Sequence, residues 1–347
     1  MAKILVTIIT RNNLPNYLFI KQMDRKTEKH IFIVTSAVEA KEACWLAKAV
    51  GGERCQNRKT IKFTDEDDYV ANVKTLEAEL GAEPGDSYIV NLTGGTKAMA
   101  LAVHDVLAKY DSQFFCLTQN GKFIYDFQKS EKKLVTERIS LVDYLALYDI
   151  SLEKKGTPSK EEDAGNMFRR LAAKNFDKTK CPEIVNGQQH PNQDMRVWLM
   201  GEWFEAYCYF RLRKDFGLAD DAIAQGVAIV KSADSVKKGG DGVNGIANDN
   251  EIDVIFVKDN VLYTIECKVG VKSSAIGDTQ YKAAAISKYI GFGVRSYIFW
   301  LQDLRNCDEK SYYNIKRRVN YLGMSGIVTG NDLLRGDNTY LDNPEIR

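Results

Sequence analysis

Histidine, proline and paired cysteines are all scarce in this chain. Its 347 residues include only three histidines, at 30, 104 and 190, and these are too far apart for zinc-ligand spacing. Seven cysteines are scattered at 44, 55, 116, 181, 208, 267 and 307 without a C-x-x-C, several of them inside apolar runs. That usage predicts reduced, buried thiols and a cytoplasmic setting rather than a disulfide framework. No apolar run reaches 18 residues, so no membrane partner or span is expected. The opening MAKILVTIITRNN has no secretory h-region followed by a cleavage site. Charge of one sign is missing too: 48 basic residues face 47 acidic ones. Any nucleic-acid contact must therefore come from local patches, not from a global field.

Hydrophobic content of 44% and charged content of 27% are those of an ordinary globular protein. The chain is too long for one typical core, which predicts two domains. Residues 1–150 alternate strand and helix. Strands are expected at Lys3–Ile9, His30–Thr35, Thr60–Phe63, Ser87–Asn91, Gln113–Leu117 and Lys122–Phe127. Helices are expected at Leu14–Met23, Ala37–Val50 (with Ser36 as cap), Asp65–Leu80 and Lys97–Lys109, and an apolar helical stretch at 139–150. This alternation predicts a doubly wound, largely parallel sheet with ligands at the carboxyl ends of its strands. Residues 151–195 read as a linker region, polar over 151–163, with a helix over 163–175 and an irregular Pro182–Asp194. Residues 196–347 form the second α/β domain, opening on a long helix, Trp198–Asp215. In it Trp203, Phe204, Tyr207, Tyr209 and Phe210 have the spacing of core residues. A strand at Gly226–Val230 and a glycine-rich loop, Ser232–Asn250, follow. Further on come a helix over 278–290, a strand at Val294–Leu301 and a helix at Glu309–Leu322.

The second domain is organised around EIDVIFVKDNVLYTIECK, 251–268. Two β-rich runs flank Lys258-Asp259-Asn260, a hairpin signal. A turn centred on Asp259 and Asn260 sets Asp253 opposite Glu266 and Glu251 opposite Lys268, all on one face. Ile252, Val254, Phe256, Tyr263, Ile265 and Cys267 share the other face. A lone E-x-K on a strand is commonly an exposed salt bridge. Here a second carboxylate stands opposite, and two carboxylates that close call for a cation between them. Carboxylate oxygens suit Mg²⁺ or Mn²⁺, and the adjacent lysine can stabilise charge on a scissile phosphate. A further acid is expected from the preceding helix, Glu202 or Glu205.

This pattern resembles the PD-(D/E)xK nuclease superfamily. G-x-W-F-E at 201–205 with N-E-I-D-V…L-Y-T-I-E-C-K at 250–268 is similar to the nuclease half of CRISPR ancillary nucleases that carry a CARF sensor domain. The resemblance implies metal ligation by Glu205, Asp253 and Glu266, with Lys268 as the catalytic lysine. Residue 252 is Ile where the superfamily name has Pro. Gln280 stands where some members place an accessory polar residue, and Glu251 reads as a partner of Lys268.

In the first domain, NLTGGTKAM (91–99) joins a strand to a helix, with glycines that let backbone N–H groups converge on an anion. It is not a G-x-x-x-x-G-K-[ST] loop. Lys97 near a helix start is disfavoured by the macrodipole by a few tenths of a kcal/mol, roughly, and a bound phosphate would offset this. A glycine turn serving close helix–strand packing is the other reading of the same residues. Together with T-R-N-N-L-P-N-Y after the first strand, the loop looks like the CARF fold, a Rossmann-like sensor of cyclic oligoadenylates. That resemblance implies a homodimer binding a cyclic oligoadenylate, cyclic tetra-adenylate in particular. The contacts it implies are Thr10, Arg11, Asn12, Thr93, Gly94, Gly95, Thr96, Lys97 and Met99.

The whole reads as a Rossmann-like CARF domain followed by a restriction-endonuclease-like α/β domain. The expected activity is that of a cyclic-oligoadenylate-activated, metal-dependent nuclease of type III CRISPR defence, cutting DNA, RNA or both. Two other readings compete: a non-catalytic regulator that binds nucleic acid, and a ring nuclease acting on its own ligand through Thr10 and Lys97. Lys310, Lys316, Arg317 and Arg318 are candidates for tracking a phosphate backbone, and Lys237 and Lys238 for touching substrate.

Overall fold

The computed structural model describes residues 2–23, 27–35, 37–118, 121–154, 159–177, 197–231, 251–270, 276–291, 293–301, 307–336, 338–344 and 346–347. The Ser36 cap, Pro182–Asp194, His190 and the Ser232–Asn250 loop with Lys237 and Lys238 lie outside them. The chain divides into two compact units, Met1–Ile139 with Asp143–Asp149, and Ser140–Val142 with Ile150–Arg347.

The first unit runs β1 (Lys3–Ile8), α1 (Leu14–Met23), β2 (Lys29–Val34), α2 (Ala37–Val50), α3 (Glu53–Gln56), β3 (Lys59–Lys62) and α4 (Tyr69–Glu79). It continues with β4 (Ser87–Asn91), α5 (Lys97–Leu107), β5 (Asp111–Leu117), β6 (Phe123–Asp126), β7 (Glu131–Leu134) and a short α6 (Leu141–Ala146). The strands order as β3-β2-β1-β4-β5-β6-β7. The first five are parallel, whereas β6 and β7 are antiparallel additions. Leu5, Val6, Ile8, Phe32, Ile33 and Val90 are buried, which is why these strands read as continuous apolar runs instead of alternating. Ile4, Val6, Ile8, Val90, Leu76 and Val103 share one core, so α4 and α5 cover one face of the sheet.

Three expectations are corrected here. The helix expected from Asp65 begins at Tyr69, because Asp68 caps it by accepting the Ala71 N–H at 2.9 Å. The charged segment Glu131–Leu134, not expected as a strand, is the sheet's edge, where charge is tolerated and blocks further pairing. The stretch 139–150 is helical only over Leu141–Ala146.

The second unit begins two elements earlier than its composition suggests. Ile150–Lys154, expected to open a linker, is β8, paired antiparallel with β9 (Ile223–Lys231). Its side chains are largely polar because it is an edge strand. Helix α7 (Glu161–Ala172) follows, with three acids in its first turn. The expected long helix from Trp198 is broken: Trp198–Glu202 is a wide turn interrupted at Gly201, and regular α8 spans Trp203–Phe216. β10 (Glu251–Lys258), β11 (Val261–Val269), α9 (Ile276–Ile290), β12 (Arg295–Leu301), α10 (Glu309–Leu322), β13 (Gly326–Thr329) and α11 (Gly330–Leu334) complete it. The sheet order is β13-β12-β11-β10-β9-β8, parallel from β11 to β13 and antiparallel elsewhere.

The hairpin turn falls at Asp259 and Asn260, both with positive φ (50° and 62°), as a two-residue primed turn requires. The register Lys258↔Val261 through Val254↔Ile265 is the one the turn dictates. Trp203, Phe204, Val254, Phe256, Tyr263, Ile265 and Cys267 form one core, so α8 packs on the apolar face of the hairpin. Phe256 and Tyr263 stack at 4.6 Å and 7°, a pair worth about 0.5–1.5 kcal/mol beyond its buried area. Trp203 and Phe204 are thus core residues, as their spacing predicts. The opposite face carries Ile298 and Trp300, which pack with Ile276, Ala283, Ile315 and Val319 of α9 and α10.

Candidate active site and ligand loops

The pairing of β10 with β11 stops at Val254↔Ile265. At the next position Asp253 does not continue the ladder towards Glu266. Its carboxylate Oδ2 instead accepts the backbone N–H of Cys267 at 2.6 Å. The strands therefore separate at the point where the polar residues begin. Glu266 pairs across to Ile298 and Lys268 to Trp300 in β12, so both lie on the face covered by α9. Lys268 Nζ stands 3.4 Å from Asp253 Oδ2 and 3.5 Å from Glu266 Oε2.

Glu205 arrives from α8 on the other side of the sheet. Three residues on, Cys208 packs with Cys267 in the same buried core. This contact fixes α8 against β11 at the residue whose N–H holds Asp253. Glu205, in the first turn of α8, then feels Asp253 as its strongest charged neighbour. Exposed Glu202 adds to the same field from a distance. Of the two helix acids considered from the sequence, Glu205 is the one brought to Asp253.

Burial first, and then the Asp253 charge, pushes the Glu205 carboxyl up to about 8, against the pull of Lys268. The same two causes push Glu266 up to about 7, opposed by Lys282 and Lys268. Burial works to lower Lys268, but Asp253 and Glu266 outweigh it and its ammonium is held above the usual range. Three carboxylates and two ammonium groups leave an excess of acid in a desolvated place. Glu266 is 2% exposed, and its Oε1 is buried with no hydrogen-bond partner. That unpartnered acceptor, beside carboxyls that burial and the Asp253 charge hold above their ordinary range, fits a divalent cation with oxygen ligands. Among the described residues, no three His, Cys, Asp or Glu side chains already stand in the arrangement that holds a metal ion.

The sequence reading missed Lys282. Its Nζ, from α9, donates to Glu266 Oε2 at 3.2 Å and to the Glu251 carbonyl at 3.1 Å. No motif marks it, and only the packing of α9 on the sheet brings it there. Gln280, considered as an accessory site residue, is spent elsewhere. Its Nε2 donates to the Ile315 carbonyl at 3.0 Å and its Oε1 accepts from Arg318 at 3.1 Å, tying α9 to α10. Arg318 is likewise turned inward, whereas Lys310, Lys316 and Arg317 are exposed.

In the first unit, β1 and β4 are neighbours, with β2 and β3 added on one side and β5 on the other. The crevice between their carboxyl ends is thus the topological switch point, the usual ligand position in such sheets. The two loops named from the sequence flank it. A Cβ on Gly94 would lie 2.5 Å from the Ile8 carbonyl oxygen, and one on Gly95 (φ 80°) 2.6 Å from Ile8 Cγ2. Close packing of this loop on β1 therefore requires both glycines.

The expected contact residues divide. Arg11, Asn12, Gly95 and Lys97 are exposed, and Thr10, Thr93, Gly94 and Thr96 half-buried. Met99 is 1% exposed and belongs to the core beneath the loop, so its side chain does not line a surface. Thr93 bonds Asn91 Oδ1 at 2.5 Å and accepts the Leu117 N–H at 2.8 Å. Thr96 caps α5 through the Met99 N–H and donates to the Glu66 carbonyl at 2.5 Å. Thr10 donates to the Asn12 carbonyl at 3.0 Å.

A buried asparagine chain, also missed from sequence, holds the two loops together. Asn91 donates to Asn16 Oδ1 (3.0 Å), and Asn16 donates to the Ile8 carbonyl (3.0 Å) and to Asn13 Oδ1 (3.1 Å). Asn13 in turn donates to the Glu42 carbonyl at 3.1 Å.

A Rossmann-like sheet with two loops at its switch point, followed by a mixed sheet with carboxylates and a lysine where a hairpin opens, defines a two-domain α/β chain. Residues 4–144 match the family of Card1 CARF domains and residues 192–310 that of Card1-like endonuclease domains. The chain belongs to the proteins that carry these two domains in this order. Protein VC1899 from Vibrio cholerae is similar at 18% identity and TM-score 0.72, over 98% of this chain and 97% of that one. Can2 from Sulfobacillus thermosulfidooxidans in complex with cyclic tetra-adenylate is similar at 18% identity and TM-score 0.70, over 96% of each chain. A type III CRISPR defence DNA nuclease activated by cyclic oligoadenylate is similar at 17% identity and TM-score 0.55, over 86% of this chain and 46% of that one. At such identities the likeness establishes the fold. No curated protein matches the chain. Among the described residues, no helix is long and apolar enough to cross a membrane.

Proposed function

We propose that this protein is a divalent-metal-dependent nuclease of type III CRISPR defence, switched on by a cyclic oligoadenylate at its CARF domain. The observation that carries the reading is Lys268 standing between Asp253 and Glu266, at 3.4 and 3.5 Å, where β10 and β11 part, with Glu205 of α8 within reach of the Asp253 charge. Support for the switch comes from the CARF family match and from the two loops at the β1/β4 switch point. Can2 and the activated CRISPR nuclease, similar in fold, are named with a cyclic oligoadenylate.

In this reading Glu205, Asp253 and Glu266 hold Mg²⁺ or Mn²⁺. Such an ion lowers the pKa of bound water and neutralises charge on a phosphodiester. Lys268, held charged between Asp253 and Glu266, stabilises the negative charge that develops on the phosphate and orients the attacking water. Asp253, fixed by the Cys267 N–H, keeps its second oxygen in place for the site. The substrate is DNA, RNA or both. In the first domain Arg11, Asn12, Lys97 and the Gly94–Gly95 backbone receive the phosphates of a ring shared by two chains of a homodimer. Activation requires the ring to bind the cutting-competent arrangement more tightly than the resting one.

The test is a cleavage assay with Mg²⁺ or Mn²⁺ on single- and double-stranded DNA and RNA, with and without cyclic oligoadenylates of several ring sizes. Cutting that needs both metal and ring supports the reading. Cutting without the ring removes the switch and keeps the nuclease.

A further inference from the structure

The two oxygens of Glu266 are not equivalent. Oε2 receives Lys282 Nζ at 3.2 Å and Lys268 Nζ at 3.5 Å. Oε1 is buried and takes no hydrogen bond. A desolvated carboxylate oxygen without a donor is costly unless something else meets it. The two lysines also differ. Lys268 is divided between Asp253 and Glu266, at 3.4 and 3.5 Å. Lys282 has its second bond to a backbone carbonyl, that of Glu251 at the start of β10, at 3.1 Å. Its helix is fixed too: Ile276, Ala283 and Ala284 of α9 are in the core, and the Gln280 amide ties α9 to α10.

We propose that Lys282 is a positioning residue for Glu266. It pins Oε2 to the frame of β10, so that Oε1 alone is presented to the metal ion, and Glu266 ligates through one oxygen. The assignment rests on the metal-dependent reading above and extends it to a residue outside the D…E-x-K pattern. One-point ligation matters for which ion is accepted. Mg²⁺ and Mn²⁺ favour compact octahedral shells, whereas Ca²⁺ accommodates two-point carboxylates and higher coordination numbers. Holding one oxygen back therefore favours the smaller ions.

The test is the ratio of Mn²⁺ to Ca²⁺ affinity, measured by titration calorimetry on the full chain without substrate. Both ions carry the same charge, so the loss of a nearby ammonium alters both affinities alike and cancels from the ratio. What remains in the ratio is the carboxylate's orientation. Lys282→Met is expected to lower the Mn²⁺/Ca²⁺ ratio about tenfold, the usual scale for residues that orient a ligand. Lys282→Arg, which keeps donors for Glu266 Oε2 and the Glu251 carbonyl, is expected to restore it. A Lys282→Met protein that melts like the parent and keeps the parental ratio overturns the assignment while leaving the metal reading intact. A parent protein that binds neither ion overturns both.

Discussion

Asp253 Oδ2 takes the backbone N–H of Cys267 at 2.6 Å, where a continuing ladder would have used a backbone oxygen. One carboxylate thereby ends the hairpin's pairing and begins the site. The two roles separate by substitution. Asp253→Asn keeps an acceptor for the Cys267 N–H and is expected to unfold within about 1 kcal/mol of the parent. Asp253→Ala leaves that buried N–H unpaired and is expected to cost about 1–3 kcal/mol. Both variants are expected to lose cleavage by at least ~10²-fold. Denaturant unfolding together with cleavage rates checks this. Equal stability of the two variants would show that the Cys267 contact contributes nothing.

The raised carboxyls set a pH dependence. Glu205 and Glu266 rise from an ordinary value of 4.5 to about 8 and about 7 through burial and the Asp253 charge. An acid whose folded pKa is raised contributes stability that is complete below its unfolded value and lost as pH climbs through the folded one. The metal-free protein is therefore expected to melt at progressively lower temperature from pH 5 to pH 9. Glu266→Gln should flatten that fall, and saturating Mg²⁺ should restore the melting temperature at pH 9. Metal affinity should rise over the same window, because protons and the ion compete for the same oxygens. Calorimetric melting at fixed ionic strength is the measurement. A flat profile would contradict the placement of the charges.

Gln280 separates a packing role from a site role. Its amide is fully buried and satisfied at both ends, by the Ile315 carbonyl and by Arg318. Gly277 makes room for Arg318, whose guanidinium would lie 2.3 Å from a Cβ there. Gln280→Ala is expected to cost about 1–3 kcal/mol through the unpaired groups it leaves, with metal affinity unchanged. A fall in metal affinity without loss of stability would return Gln280 to the site.

In the first unit, Gly94 and Lys97 are expected to fail in different ways. Gly94→Ala forces a Cβ against the Ile8 carbonyl, so both thermal stability and ring binding should drop. Lys97 is exposed at the head of α5, so Lys97→Ala should leave stability within about 0.5 kcal/mol. It is expected to weaken binding of cyclic tetra-adenylate about tenfold. Calorimetric titration with the ring, beside a melting curve, distinguishes the two.

Legibility in the sequence followed the physics. The hairpin register was readable because Asp259 and Asn260 suit a primed turn and the apolar residues alternate on either side. The parallel strands were readable because both faces are buried and their apolar runs are unbroken. Edge strands were not: Glu131–Leu134 and Ile150–Lys154 are polar, and they pair only because a neighbouring strand offers free hydrogen bonds. The kink at Gly201 was hidden inside an aromatic helical pattern. Lys282 and the Asn13–Asn16–Asn91 chain were invisible because tertiary packing alone brings them to their partners. Met99 is the opposite case: it belongs to a loop-and-helix motif, but its side chain packs into the core.

The most direct test of the account is cleavage by the parent and by a Glu266→Ala, Lys268→Ala double variant, with Mn²⁺ present and cyclic tetra-adenylate added or withheld. The account predicts nucleic-acid cleavage by the parent only when metal and ring are both present, and none by the double variant. Cleavage that survives in the double variant, or a parent that cuts no DNA or RNA under any of these conditions, would contradict it.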